Sequence, residues 1–208
     1  MSVSAAAAEG VWAIVLAAGA STRFGTPKQL YQWSGRTFLQ HALVHARQTV
    51  ADRIVIVTGA HADKLDAVLD SGRLIRAHNV SWRDGMASSI RTGIAALPRD
   101  CAAALLMPCD QPLVDGADLQ ALVARWCNGP EQAVASGYAG TFGIPAVVPA
   151  RLFPALRELR GDRGAKEVLR REGRQLEVFE LPAGHLDIDD RIAASRLGRD
   201  DAGTRGNC

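Results

Sequence analysis

Continuous apolar runs alternate along this chain with segments whose apolar residues recur every three or four positions, and no other feature limits the possible folds as much. The runs at 11–17, 53–57, 74–79 and 103–107 lack the polar alternation of a sheet with one wet face. They predict parallel strands covered on both sides. The intervening segments 38–48, 62–70 and 88–97 carry helical spacing, so the order reads as βαβαβαβ. Short connections then require right-handed crossovers, which gives an open α/β sheet, mostly parallel, with helices on both faces. A further helix is predicted at 115–127. Beyond it Gly137, Gly140, Gly143 and Pro145 punctuate two shorter apolar segments, 134–138 and 144–148. Helices at 151–159 and 165–172 and a strand at 176–181 follow, and from Asp189 a short helix and a polar tail. With 208 residues, 48% of them hydrophobic, the chain can bury one sizeable core. The expected organisation is a loose leader at 1–10, a single domain at 11–198 and a tail at 199–208.

Twenty-four Lys and Arg oppose 22 Asp and Glu, a formal charge of +2 that creates no field for gripping nucleic acid through its backbone. Aromatics at 5% leave little material for base-stacking platforms. Four cysteines, Cys101, Cys109, Cys127 and Cys208, form no C-x-x-C pair and no zinc spacing, so a reducing cytoplasm is the expected compartment. The apolar run after Gly10 is too short to span a bilayer and lacks a preceding cation, which argues against both a membrane anchor and a signal peptide. His41 and His45 stand four apart on a predicted helix, but without the Glu of H-E-x-x-H or a third ligand they read as a solvated face.

In open α/β sheets ligands sit beyond the carboxyl ends of the strands, so the loops after the first and fourth strands are the places to look. The first is Leu16-Ala17-Ala18-Gly19-Ala20-Ser21-Thr22-Arg23-Phe24-Gly25-Thr26-Pro27-Lys28. Gly19 allows backbone N–H groups to approach a phosphate, and Arg23 and Lys28 can neutralise its oxygens. A triphosphate suits such a loop. Its spacing matches neither G-x-G-x-x-G nor the P-loop pattern, which disfavours the usual dinucleotide turn. The second loop brings Asp110 to the same sheet edge. Taken alone, Asp110 reads as turn chemistry before Pro112; beside the first loop it becomes a candidate magnesium ligand.

L-A-A-G-x-S-x-R-[MF]-G-x-x-K, read at residues 16–28, resembles the signature of the MobA-like NTP transferases, which include molybdenum-cofactor guanylyl- and cytidylyltransferases. The segment Asn79-Val80-Ser81-Trp82-Arg83-Asp84-Gly85-Met86-Ala87-Ser88-Ser89 is similar to the N-P-x-W-x-x-G-M-x-x-S of the cytidylyl branch, with Val80 in place of Pro. Cys109-Asp110-Gln111-Pro112 resembles its C-D-Q-P, Leu159-Arg160-Gly161-Asp162-Arg163-Gly164-Ala165-Lys166 its L-x-G-D-x-G-A-[RK], and Asp187-Ile188-Asp189 its D-I-D.

The resemblance implies the Rossmann-like sheet of the nucleotide-diphospho-sugar transferase type. It also implies transfer of a nucleoside monophosphate from an NTP to a phosphorylated acceptor, with pyrophosphate leaving. By resemblance Leu16, Ala17, Ala18, Gly19, Ser21, Arg23 and Lys28 hold the triphosphate, and Asn79, Gly85, Met86 and Ser88, together with Ser89, hold the base. Asp110 and Asp187 carry Mg²⁺, and Arg23, Lys28 and Asp110 form the catalytic set. Tyr138, Gly143, Pro145, Asp162, Arg163 and Lys166 form the acceptor side. Ala18, where the guanylyl branch has Gly, points to CTP; one methyl in a pocket contributes about 1–3 kcal/mol of discrimination. The expected substrates are therefore CTP and molybdopterin, or the molybdenum cofactor itself, with a molybdoenzyme or its chaperone receiving the product.

Three alternatives remain open from the sequence. One is a related transferase using GTP or another phosphorylated acceptor. Another is a nicotinamide-dependent oxidoreductase, which the missing G-x-G-x-x-G disfavours. The third is a non-catalytic carrier of the cofactor. Trp82 has two readings, stacking on a ligand or plain packing, and Lys166 reads either as an acceptor-binding cation or as a solvated helix residue.

Overall fold

The structure is a computed structural model that describes residues 9–69 and 72–185. The described strands are β1 (Val11–Leu16), β2 (Gln32–Trp33), β3 (Arg36–Thr37), β4 (Ile54–Thr58), β5 (Ile75–His78), β6 (Ala103–Pro108), β7 (Ala133–Tyr138), β8 (Thr141–Pro149) and β9 (Leu176–Glu180). The α-helices are α1 (Phe38–Val50), α2 (Ala62–Asp66), α3 (Met86–Ala95), α4 (Gly116–Asn128), α5 (Phe153–Arg157) and α6 (Ala165–Arg171).

Seven strands form one sheet in the order β5-β4-β1-β6-β8-β7-β9. All pairings are parallel except the two made by β8, which runs against both β6 and β7. The uniform apolarity of β1 follows from its central place. Val11, Ala13 and Val15 point into a core shared with α1, α2 and α4, while Trp12, Ile14 and Leu16 face the opposite core, which α3, α5 and α6 cover. The expected α/β class with two covered faces is the one observed.

Local chemistry sets where the longer helices begin. Thr37 accepts a hydrogen bond from the N–H of Gln40 at 3.1 Å while the Gln40 side chain accepts from the N–H of Thr37 at 2.9 Å, a reciprocal cap that starts α1. Asp115 starts α4 in the same way, accepting from the N–H groups of Ala117 and Asp118.

Several boundaries differ from the expectation. The predicted helix at 151–159 resolves into a 3₁₀ turn, Ala150–Leu152, and the short α5, with Pro154 in its first turn. The helix predicted at 62–70 ends at Asp66, and α3 begins two residues early, at Met86. The β2–β3 hairpin lies where no element is predicted. Ser34 and Gly35 both have positive φ, 45° and 80°, as a two-residue hairpin turn requires. Asp187, and the helix and tail expected from Asp189 onward, lie outside the described residues. No helix among the described residues is long and apolar enough to cross a membrane.

The chain order explains where a ligand can sit. From β1 the connection runs to β4 and β5 on one side, then crosses back to β6 on the other. The strand order reverses between β1 and β6, so the loops leaving their carboxyl ends diverge and leave a crevice.

Candidate active site

A cleft of about 690 Å³ opens at that crevice. The loop after β1 forms one wall through Leu16, Ala18, Gly19, Ala20, Lys28 and Gln29. Its shape is held by bonds that bridge its ends. The Ser21 hydroxyl accepts from the backbone N–H of Lys28 at 3.1 Å and donates to Gln29 Oε1 at 3.2 Å. Ala60 N–H donates to the Ala18 carbonyl at 3.1 Å. The N–H groups of Ala18, Gly19 and Ala20 donate to no acceptor among the described residues. A methyl built on Gly19 would meet no protein atom within 4 Å, so packing does not demand glycine at this position. Open space beside donors without an acceptor suits the close approach of a ligand.

Lys28 lies on the 3₁₀ turn Lys28–Leu30, and Asp110 lies two residues beyond the end of β6. Lys28 Nζ forms an ion pair with the Asp110 carboxylate, their side chains 17% and 15% exposed. The pair therefore stands at the cleft wall, shielded enough that its field is not dissipated by bulk water.

The opposite wall is made by two loops in close contact. Gly85 has φ +90°, and a methyl there would lie 2.4 Å from Asp162 Oδ1 and 2.6 Å from the Gly161 carbonyl. Only glycine permits both the backbone angle and the approach. Ala87 N–H donates to the Gly161 carbonyl at 3.1 Å, and Arg91 donates to the Leu159 carbonyl at 2.6 Å, fastening α3 to the same loop. The β7–β8 hairpin completes the cleft. There Lys166 donates to Thr141 Oγ1 at 2.5 Å and lies 5.7 Å from the Phe142 ring centroid.

Of the residues expected at a site, the structure brings Leu16, Ala18, Gly19, Lys28, Gly85, Met86, Ser89, Trp82, Asp110, Tyr138, Gly143, Asp162 and Lys166 to the cleft. Ala17, Ser21, Arg23, Asn79, Ser88, Pro145 and Arg163 are not on its lining. The reasons differ. Asn79 is buried, donating to Ser88 Oγ at 2.8 Å and Ser89 Oγ at 3.0 Å and accepting from Ser81 N–H at 3.0 Å, so it shapes the loop leading to Gly85 from behind. Ser21 likewise braces the first loop. Arg23 sits on an exposed 3₁₀ turn, and Pro145 faces the other side of β8. Thr141, Phe142 and Gln29 line the cleft without having been named in any motif, and Arg83 and Gln111 line it without having been given a role by the sequence. The one signal available for Gln29 was an amide directly after Lys28 in an otherwise packed turn.

Cys109 lines the cleft too, but burial and the neighbouring Asp110 carboxylate push its thiol far up, as burial pushes Cys101 up to about 11. Below such values both remain neutral thiols, poor nucleophiles. Iodoacetamide at pH 8 is therefore expected to leave Cys101 and Cys109 unmodified in the folded protein and to label both after denaturation, as peptide mass mapping would read. The same shift gives a sign for stability. Cys101 keeps between pH 9 and about 11 a proton that the unfolded chain releases, so its contribution is present below pH 9 and lost as pH rises through that window.

The family model described as "MobA-like NTP transferase domain" matches residues 13–177. The bifunctional protein GlmU of Rhodococcus opacus is 34% identical over 198 residues, which cover 89% of this chain but 38% of that protein. The chain thus spans under two fifths of the length of the first of the curated relatives it matches. Among solved structures, Rv0371c from Mycobacterium tuberculosis superposes with a TM-score of 0.79 at 27% identity, covering 91% of this chain and 97% of the other. The same protein in complex with manganese superposes with a TM-score of 0.73 at 25% identity, with the same coverages.

Proposed function

Since this chain belongs to the MobA-like NTP transferase family, we propose that it is a nucleotidyltransferase that moves CMP from CTP to the terminal phosphate of molybdopterin, releasing pyrophosphate. The observation that carries the reading is the Lys28–Asp110 pair beside backbone N–H groups that have no acceptor among the described residues. A cation and oriented donors meet phosphate oxygens on one side, and a carboxylate offers an oxygen ligand on the other. Nucleotidyl transfer needs little more from a protein than this positioning and charge neutralisation.

A divalent metal fits these residues. Asp110 is a hard oxygen donor of the kind that suits magnesium or manganese. Magnesium or manganese, which keep several waters and need one or two carboxylates, match that donor set. Asp110 would hold the ion, with Asp187 as a second carboxylate, and the ion would neutralise charge on the phosphates. Lys28 screens the triphosphate as the acceptor approaches. The acceptor phosphate is already ionised near neutral pH, so no side chain is required as general base.

The substrate assignments rest on two groups of cleft-lining residues. Ala18, the position at which the cytidylyl branch differs from the guanylyl branch, lines the cleft with Gly85, Met86 and Ser89, and the small residues there suit a pyrimidine. Lys166, Trp82 and Phe142 offer a cation for a phosphate and aromatic faces for a flat pterin. Incubating the protein with each NTP in turn, Mg²⁺ and molybdopterin, and measuring pyrophosphate, tests the proposal. Release with CTP alone is the expected result. Preference for GTP, or release with a different phosphorylated acceptor, would move the assignment to a sister transferase, and no release with any pair would overturn it.

A further inference from the structure

Gln29 is buried, 1% exposed, yet its side chain is spent entirely on the loop that precedes it. Its Nε2 donates to the carbonyls of Ala17 at 3.2 Å and of Gly19 at 2.8 Å, and its Oε1 accepts from the Ser21 hydroxyl at 3.2 Å. In a planar trans peptide the C=O and the following N–H point in opposite directions. Holding the carbonyls of Ala17 and Gly19 on the Gln29 side therefore sets the N–H groups of Ala18 and Ala20 on the other side of the loop. Ala60, bonded to the intervening Ala18 carbonyl, sets the N–H of Gly19 in the same manner. The three N–H groups so oriented are the ones that find no acceptor among the described residues.

We propose that Gln29 is a positioning residue for anion recognition, its amide fixing the peptide planes of residues 17–20 so that their N–H groups receive the polyphosphate of the nucleotide. This rests on the nucleotidyltransferase reading of the cleft. Gln29 acts through the backbone and itself needs no contact with the substrate. The loop grips the phosphates in the ground state and the transition state alike, so loss of the amide weakens both. The signature is a raised KM for the nucleotide with kcat little changed, whereas a merely structural role would lower the fraction of active protein and leave KM where it was.

The test uses Gln29→Met, close in volume but without donors, and Gln29→Asn, which keeps the amide but cannot reach both carbonyls. Binding of CTP and of inorganic tripolyphosphate to the full chain is measured by calorimetry with and without Mg²⁺, alongside thermal melting. Each variant is expected to bind both probes about tenfold to a hundredfold more weakly than the parent, while still unfolding in one cooperative transition at a melting temperature lowered by about 10 °C or less. Parental affinity in either folded variant overturns the positioning role while leaving the nucleotide reading standing. Failure of the parent protein to bind either probe overturns both, and whichever of the two variants folds is sufficient to decide.

Discussion

Asp110→Asn is expected to lower metal-dependent pyrophosphate release by at least about a hundredfold, with the folded structure kept. Asparagine preserves the shape of the side chain and removes the charge, so a ligand for a hard cation is exchanged for a neutral amide of far weaker affinity. The fold should survive because Asp110 belongs to a loop beyond β6 and the asparagine amide oxygen can still accept a hydrogen bond from Lys28. Pyrophosphate release at saturating CTP and Mg²⁺, with a thermal melt of the same sample, checks both halves. Undiminished turnover would sink the metal assignment, and it would leave Asp110 as a turn residue that happens to face a lysine.

Lys28→Met should reduce kcat by about a hundredfold to a thousandfold, the scale seen when one preorganised group that stabilises transition-state charge is removed. The substitution separates charge from architecture. The loop bond at this position is made by the backbone N–H of Lys28 to Ser21 Oγ at 3.1 Å, which any side chain preserves, and methionine supplies an apolar stem of similar length. Steady-state kinetics across a CTP titration distinguish the outcomes: a fall in kcat marks stabilisation gained only in the transition state, and a rise in KM alone marks simple binding of the triphosphate. Because Lys28 and Asp110 contact each other, the double variant is expected to be less impaired than the product of the single losses predicts. Multiplicative losses would instead argue that the two groups act independently.

These two residues also show how much of the site was legible beforehand. Lys28 stood out because it closes a loop of small residues directly after an apolar strand, a local pattern whose meaning survives any tertiary arrangement. Asp110 was ambiguous as a local feature and acquired meaning only beside the first loop. Arg23 carried the same charge in the same loop as Lys28, yet it stands on an exposed 3₁₀ turn off the cleft lining, while Lys28 faces Asp110. Charge and spacing do not encode which way a turn presents its side chains. Asn79 and Ser88 sit in a segment that reaches the cleft through Gly85, Met86 and Ser89, but their amide and hydroxyl groups meet each other behind its surface. A polar residue near a ligand loop can either face the ligand or shape the backbone that does, and only the bonds it makes distinguish the two.

The sequence by itself determined the class of the fold and the sheet edge where the candidate site lies. Strands without polar alternation must be covered on both faces, and a glycine- and cation-rich loop must follow the first of them whatever the sheet does next. Only the tertiary structure decided the order of the strands, the reversal of β8 against β6 and β7, and the meeting of Lys28 with Asp110. It alone decided that Gln29 reaches back to the carbonyls of Ala17 and Gly19. The physical reason is common to all of these: periodicity records how deeply a residue is buried, but which partner it meets depends on packing between segments distant in the chain, where the last hydrogen bonds and ion pairs are assigned.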